Sequence, residues 1–252
     1  MFVSTYPSLK FLKKHNCSMK ITILTLFPDM FQGPFSSSIV KNAQTKGALD
    51  LEFVDIRSYG IGPHKTVDDT PYGGGIGMIM RVDVIKLAID DIKAKSDASP
   101  DQQKTILMTA DGATYNQRTA ERYAKLAHLI IICGHYEGID ERVRSYVDEE
   151  VSIGDFVLTG GEIPAMLITD SVTRLLKDVL KEGVTDAESF SYKDEDGYLL
   201  EYPGYTRPQT FESVSVPEVL TSGNHKMIDD WRREQARSRT KKNRPDLLKR
   251  TS

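Results

Sequence analysis

The chain of 252 residues carries a formal net charge of −3, with 39% hydrophobic and 27% charged residues, enough apolar material for one large domain or two modest ones. Its longest apolar run, LIIIC at 129–133, falls far short of the roughly 20 residues of a membrane span, so no membrane association is expected. Cys17 and Cys133 lack the paired Cys or His spacing of a zinc site or a disulfide scaffold, which points to a soluble protein of a reducing compartment, the cytoplasm.

Residues 1–18 have scattered lysines but no continuous apolar stretch, cleavage pattern or arginine, unlike a secretory signal or a transit peptide. They are expected to be an extension outside the fold, which begins at Met19. There MKITILTLFPDMF predicts a strand, a stop at Pro28 and a helix from about Asp29. A helix closed by Gly47 and the strand LEFVDI (51–56) complete a βαβ rhythm. Next comes TVDDTPYGGGIGMIM (66–80). A P-loop would need Gly-Lys-Ser/Thr, but Gly77 is followed by Met78, Ile79 and Met80. A dinucleotide fingerprint would need a preceding strand, and the turn-rich Gly60, Gly62, Pro63 and Pro71 stand there instead.

VDVIKLAIDDIKA (82–94) spaces its apolar residues at helical intervals, and SDASPDQQ is a polar connection. A strand at 104–110, a helix over 116–127, the strand HLIIIC (128–133), a short segment through Arg144 and the strand-like VDEEVSIGDFVL (147–158) follow. PAMLITDSVTRLLKDVL (164–180) predicts a helix with Pro164 in its first turn. This alternation predicts an α/β fold with a mostly parallel sheet covered on both faces. Beyond it the chain turns polar and aperiodic, a linker into a second, smaller domain from about Gly197. There Trp231 is most simply a packing residue. From Lys226 to Arg250 ten Lys/Arg stand against four Asp/Glu, either a nucleic-acid footprint or a solvated helix.

Two further glycine clusters follow strands: Gly134 and Gly138 in CGHYEGIDERV, and Gly154, Gly160 and Gly161 in SIGDFVLTGGEIPAM. Open α/β sheets bind ligands beyond their strand carboxyl ends, where glycine lets a ligand touch the main chain. Tight turns without a ligand remain the alternative for either cluster alone. Neither carries a triphosphate lysine, and no Gly-x-Ser-x-Gly elbow or Cys-His pattern is present, so hydrolase readings lose ground.

TVDDTPYGGGIGM, CGHYEGIDERV, SIGDFVLTGGEIPAM, YTRP, VPEVLTSGNH and RPDLL stand in the order found in bacterial tRNA (guanine-37-N1)-methyltransferases. From Met19 to about Leu248 the chain resembles that family, part of the knotted SPOUT superfamily. The resemblance implies a knotted domain over 19–183 with a C-terminal trefoil knot, a flexible linker over 184–196, and a small, mainly helical tRNA-binding domain over 197–252. It further implies a homodimer that uses S-adenosyl-L-methionine to methylate N1 of the guanine 3′ of the anticodon, gripping the anticodon stem-loop. The cofactor would be held by Leu107, Met108, Thr109 and Ala110; by Gly134, His135, Tyr136, Glu137 and Gly138; and by Ser152, Ile153, Gly154, Phe156, Val157, Leu158, Gly160, Gly161 and Pro164. The loop PYGGGIGM would lie near the flipped target base; a glycine-rich turn that only packs is the other reading. Where relatives often carry Tyr-Leu-Ser-Pro, this chain has Leu-Met-Thr-Ala, without the aromatic wall and the proline.

By the same resemblance Glu188 in DAESF is the general base, one methylene longer than the usual aspartate, with Asp186 its competitor. Arg174 would stabilise charge developing on O6. Asp170 and Asp178, four residues to either side, offer it a helix-surface ion pair instead. Mg2+ is a family trait that the sequence answers with no dedicated cage. Two rival functions remain: a knotted methyltransferase of ribosomal RNA, and a non-catalytic RNA-binding protein. A hydride-transferring dinucleotide enzyme is more distant.

Overall fold

The structure, a computed structural model, describes residues 18–195 and 197–248. Residues 1–17 of the expected extension lie outside these. The chain divides into two compact units, Met1–Val179 and Leu180–Ser252.

In the first unit, β1 (Met19–Thr25) leads through a 3-10 turn into the short α1 (Gln32–Phe35) and then α2 (Ser38–Thr45). β2 (Leu49–Asp55) follows, and β3 (Asp68–Asp69) and β4 (Ile79–Met80) pair antiparallel across the glycine loop. Then come α3 (Val82–Ala94), β5 (Gln103–Thr114), α4 (Gln117–Tyr123), β6 (His128–Cys133), a 3-10 turn over Glu141–Tyr146, β7 (Glu149–Ser152) and α5 (Glu162–Thr173). The main sheet runs β2-β1-β6-β5-β7, every ladder parallel.

Because side chains alternate across a strand, each central strand feeds two cores. Leu129, Ile131 and Cys133 of β6 join Ile21, Ile23, Phe31 and Ile168 on one face. Ile130 and Ile132 meet Leu24, Leu107 and the α3 residues Val84, Ile85, Ala88 and Ile89 on the other. All of β6 is buried, the expected reading of an unbroken apolar run in a sheet covered on both sides. Each such side chain contributes roughly 1.5–3 kcal/mol by leaving water.

Several boundaries differ from expectation. The helix expected over 116–127 stops at Tyr123; Asn116 caps its start, its Oδ1 accepting from Thr119 N at 3.2 Å. Only Glu149–Ser152 of the strand-like 147–158 is strand, because Ser152 Oγ bonds both the N–H and the C=O of Gly154 and turns the chain. α5 starts two residues before Pro164 and ends at Thr173, not near 180; Arg174 caps it and Asp178 adopts a φ of 64°.

In the second unit, β8 (Lys193–Asp194) and β9 (Gly197–Tyr198) form a hairpin, as do β10 (Thr210–Phe211) and β11 (Val214–Ser215). The hairpin and the bonds Phe190 N to Leu199 O (3.0 Å) and Leu199 N to Tyr192 O (2.7 Å) give regular structure to the latter part of the stretch read as linker. α6 (His225–Asn243) is capped by Asn224. It buries Ala236 and Thr240, whose hydroxyl donates to Ala236 O and accepts from Leu200 N, both bonds under 2.9 Å. Trp231 lies half-buried beside Tyr205. Among the described residues no helix is long and apolar enough to cross a membrane.

Candidate active site

Where β6 and β7 end and β5 bulges, the first unit holds a half-open cavity of about 360 Å³, within the range of small-molecule sites. Every position that the sequence pointed to for cofactor binding, from Leu107–Ala110 through the 134–138 loop to Pro164, lines it. Ile139, Asp140, Arg144, Val151 and Thr159 line it too and were not foreseen. Ile139 and Asp140 merely continue the GHYEGIDERV motif, whereas Arg144 is brought in by the 3-10 turn and carries no local signal.

The walls are locked together by main chain. Gly161 N donates to Gly134 O at 2.8 Å, and a β-carbon on Gly161 would stand 2.6 Å from Cys133 Cα. No side chain fits at 161, so the loop after β7 lies directly on the end of β6. The glycine-rich loop is stitched to the same region: Glu137 N donates to Met78 O (3.1 Å), Met80 N to Gly138 O (2.9 Å) and Asp140 N to Met80 O (3.0 Å). Gly73, Gly74, Gly75 and Gly77 all take positive φ, and Tyr72 just before them and Ile76 among them stand fully exposed. The bare backbone thus forms a rim beside the cavity, anchored at its C-terminal end.

Charge is unevenly spread around this space. Glu137, Asp140 and Arg144 contribute to the lining. Arg142 forks onto Asp140 through Nε (2.9 Å) and Nη2 (2.6 Å), and this hydrogen bonding holds the Asp140 carboxyl below its ordinary range. Behind the wall, Glu162 is buried and accepts from Thr25 Oγ1 at 2.7 Å. Burial, with the nearby Glu162, pushes the Cys133 thiol well above its usual value, which leaves it a poor nucleophile. A surface that is apolar and main-chain polar, with carboxylates to one side, suits a neutral or cationic ligand better than a phosphate.

Residues 19–250 match the family model described as tRNA (Guanine-1)-methyltransferase TrmD. The chain belongs to this family. It is 53% identical over 232 residues to the tRNA (guanine-N(1)-)-methyltransferase of Halalkalibacterium halodurans, with 91% of each chain covered. The enzymes of that name from Moorella thermoacetica (50% over 237 residues, 93% of this chain and 92% of the relative) and Carboxydothermus hydrogenoformans (52% over 232 residues, 92% and 88%) are similar to it along nearly the whole length.

The two residues that the family resemblance made catalytic belong to different units. Arg174 follows the last turn of α5, its N–H on Asp170 O at 3.1 Å, so it stands at a helix end and not within a long helix. The helix has ended before Asp178, which takes a left-handed φ of 64°, so residues 174 and 178 do not stand one turn apart on a helix. Glu188 is half-buried, its carbonyl accepting from Ser191 N (3.0 Å) and Tyr192 N (2.9 Å), while Asp186 is exposed. For a methyltransferase of this family Mg2+ is the other expectation. Among the described residues no three or more His, Cys, Asp or Glu side chains gather where a metal could be held.

Proposed function

We propose that this protein transfers a methyl group from S-adenosyl-L-methionine to N1 of guanine 37 in tRNA. The observation that carries the reading is the cavity itself: in a chain of this family, the glycine motifs after β6 and β7 converge on one space lined largely by apolar side chains and bare main chain. All of them lining the cavity, Leu107, Ile153, Val157 and Leu158 would give an adenine apolar contact, and Glu137 and Asp140 would answer the cationic part of such a ligand. When bound, the cofactor supplies an electrophilic methyl group.

The chain's own groups supply the rest. Guanine N1–H is a weak acid, so a carboxylate alone is poorly matched to it. Glu188 takes the N1 proton, and the Arg174 guanidinium offsets the charge that builds on O6, lowering the cost of that transfer. The PYGGGIGM loop, held against the cavity wall, receives the flipped base on its main chain. Exposed cations of α6, among them Arg233, Lys241 and Lys242, contact phosphates of the anticodon stem-loop.

The path through residues 134–164 is read as a trefoil knot; the Gly161–Gly134 bond and the backbone approach of Gly161 to Cys133 support a loop drawn tightly over a strand end. Val157, Ile163 and Leu167 are exposed apolar side chains around the start of α5 and support a homodimer that covers them. A tRNA substrate and the free thiol of Cys133 suit a cytoplasmic location. Incubation with tRNA and labelled cofactor, then mass-spectrometric mapping, should place one methyl on guanine 37. Label in ribosomal RNA, or RNA binding without transfer, would overturn the proposal.

A further inference from the structure

β5 leaves its ladder with β7 between Met108 and Ala113, both of which pair with Val151. Residues 109–112 therefore form a bulge, and Thr109 and Ala110 on it line the cavity. Gly112 presses the base of the bulge onto β7, since a β-carbon there would stand 2.5 Å from Val151 N. Main-chain contact pins that end; the tip is held by charge. Asp111 Oδ1 accepts from Thr109 Oγ1, and Oδ2 accepts from Arg144 Nη2 at 2.8 Å. Arg144 lines the cavity and is already committed elsewhere, with Nε on Glu141 Oε2 at 2.9 Å and Nη1 on Glu150 Oε2.

An isolated surface ion pair would count for little, because ordering two long side chains offsets the attraction. Here the guanidinium side chain is only 28% exposed and is fixed by two other carboxylates, so Asp111 pays almost none of that ordering cost. Asp111 itself is 64% exposed, outside the cavity lining, and acts on the cavity only through Thr109 and Arg144.

We infer that Asp111 is a positioning residue: by clipping the bulge tip to Arg144 it holds Thr109 and Ala110 in place as a cavity wall, and so sets cofactor affinity and not the methyl-transfer step. The inference rests on the cavity being the S-adenosylmethionine site. The test uses the full chain and the variants Asp111→Asn and Asp111→Glu. Asparagine still accepts from Thr109 but turns an NH2 toward the guanidinium; glutamate keeps the charge on a longer arm.

S-adenosylhomocysteine is titrated calorimetrically at low and high salt, and KM and kcat are measured with tRNA. Asp111→Asn should weaken binding and raise KM by about five- to tenfold with kcat within about twofold. The advantage of the parent should shrink at high salt as the clip is screened, and Asp111→Glu should recover part of the loss. Because residue 111 is exposed, the thermal midpoint should move by no more than about 2 °C. Equal affinity in parent and Asp111→Asn, or a fall in kcat at constant KM, would overturn the inference while leaving the cofactor reading intact. Failure of the parent to bind the probe would overturn both.

Discussion

His128 opens β6 at the end of the strand opposite Cys133 and the cavity, which makes it a probe of stability that leaves the site untouched. It is 1% exposed. Its Nδ1 faces Gln103 Nε2 (2.9 Å) and Ser96 Oγ (2.8 Å), and its Nε2 faces Thr22 Oγ1 (2.9 Å). An amide NH2 can only donate, so Nδ1 is the acceptor and the proton sits on Nε2. A second proton would set Nδ1–H against that NH2. Burial, aided by Lys20 and opposed by Glu52, lowers the imidazole from 6.5 to about 4.

As pH falls, the unfolded chain takes up this proton near 6.5 and the folded chain only near 4. The stabilisation is complete above pH 6.5 and is lost progressively between 6.5 and 4, with no further change below. At 1.36 kcal/mol per unit that window is worth about 3 kcal/mol, a large share of the roughly 5–15 kcal/mol that a domain has. Other groups titrate in the same range, so the informative quantity is the difference between parent and His128→Gln. Urea unfolding at pH 7.5, 6, 5 and 4 should show the parent's excess over His128→Gln shrinking by about 3 kcal/mol across the window. The variant should be the less stable at pH 7.5, where it loses buried hydrogen bonds. A constant difference between the two proteins at every pH would refute the assignment of a neutral, buried His128.

Gly161→Ala should lower the thermal midpoint and weaken cofactor binding measured by calorimetry, since its β-carbon would press on Cys133 Cα at 2.6 Å; Gly33→Ala, with open space around it, should do neither. Glu188→Gln should slow single-turnover methyl transfer by at least ~100-fold with tRNA affinity little changed, and Asp186→Asn should be mild; reversed results would make Asp186 the base. Replacing Lys241 and Lys242 by alanine should weaken tRNA binding in filter assays and reduce its salt slope by about one for each phosphate no longer neutralised, whereas an unchanged slope would mean that neither lysine touches a phosphate.

Local chemistry carried much of this molecule on its face. The apolar spacing of 82–94 and the unbroken run 128–133 each describe an element to the residue, because the burial that stabilises them repeats with the period of the element itself. The family motifs, read as a resemblance, named positions that turn out to line one cavity. Where expectation failed, the deciding partner was distant or the period misled. VSIGDFVL looks like strand, but the Ser152–Gly154 turn takes it off the sheet, and the α5 pattern ran on past the point where the chain leaves the helix at Arg174. Arg144 had no mark in the sequence; it is held at the cavity because Asp111 of the bulge and Glu150 of β7 meet it beside Glu141 of its own turn. The close passage of Gly161 over Cys133 is of the same kind. Periodicity fixes what a residue does toward its neighbours along the chain, while the cavity depends on contacts between segments that only the assembled sheet brings within reach.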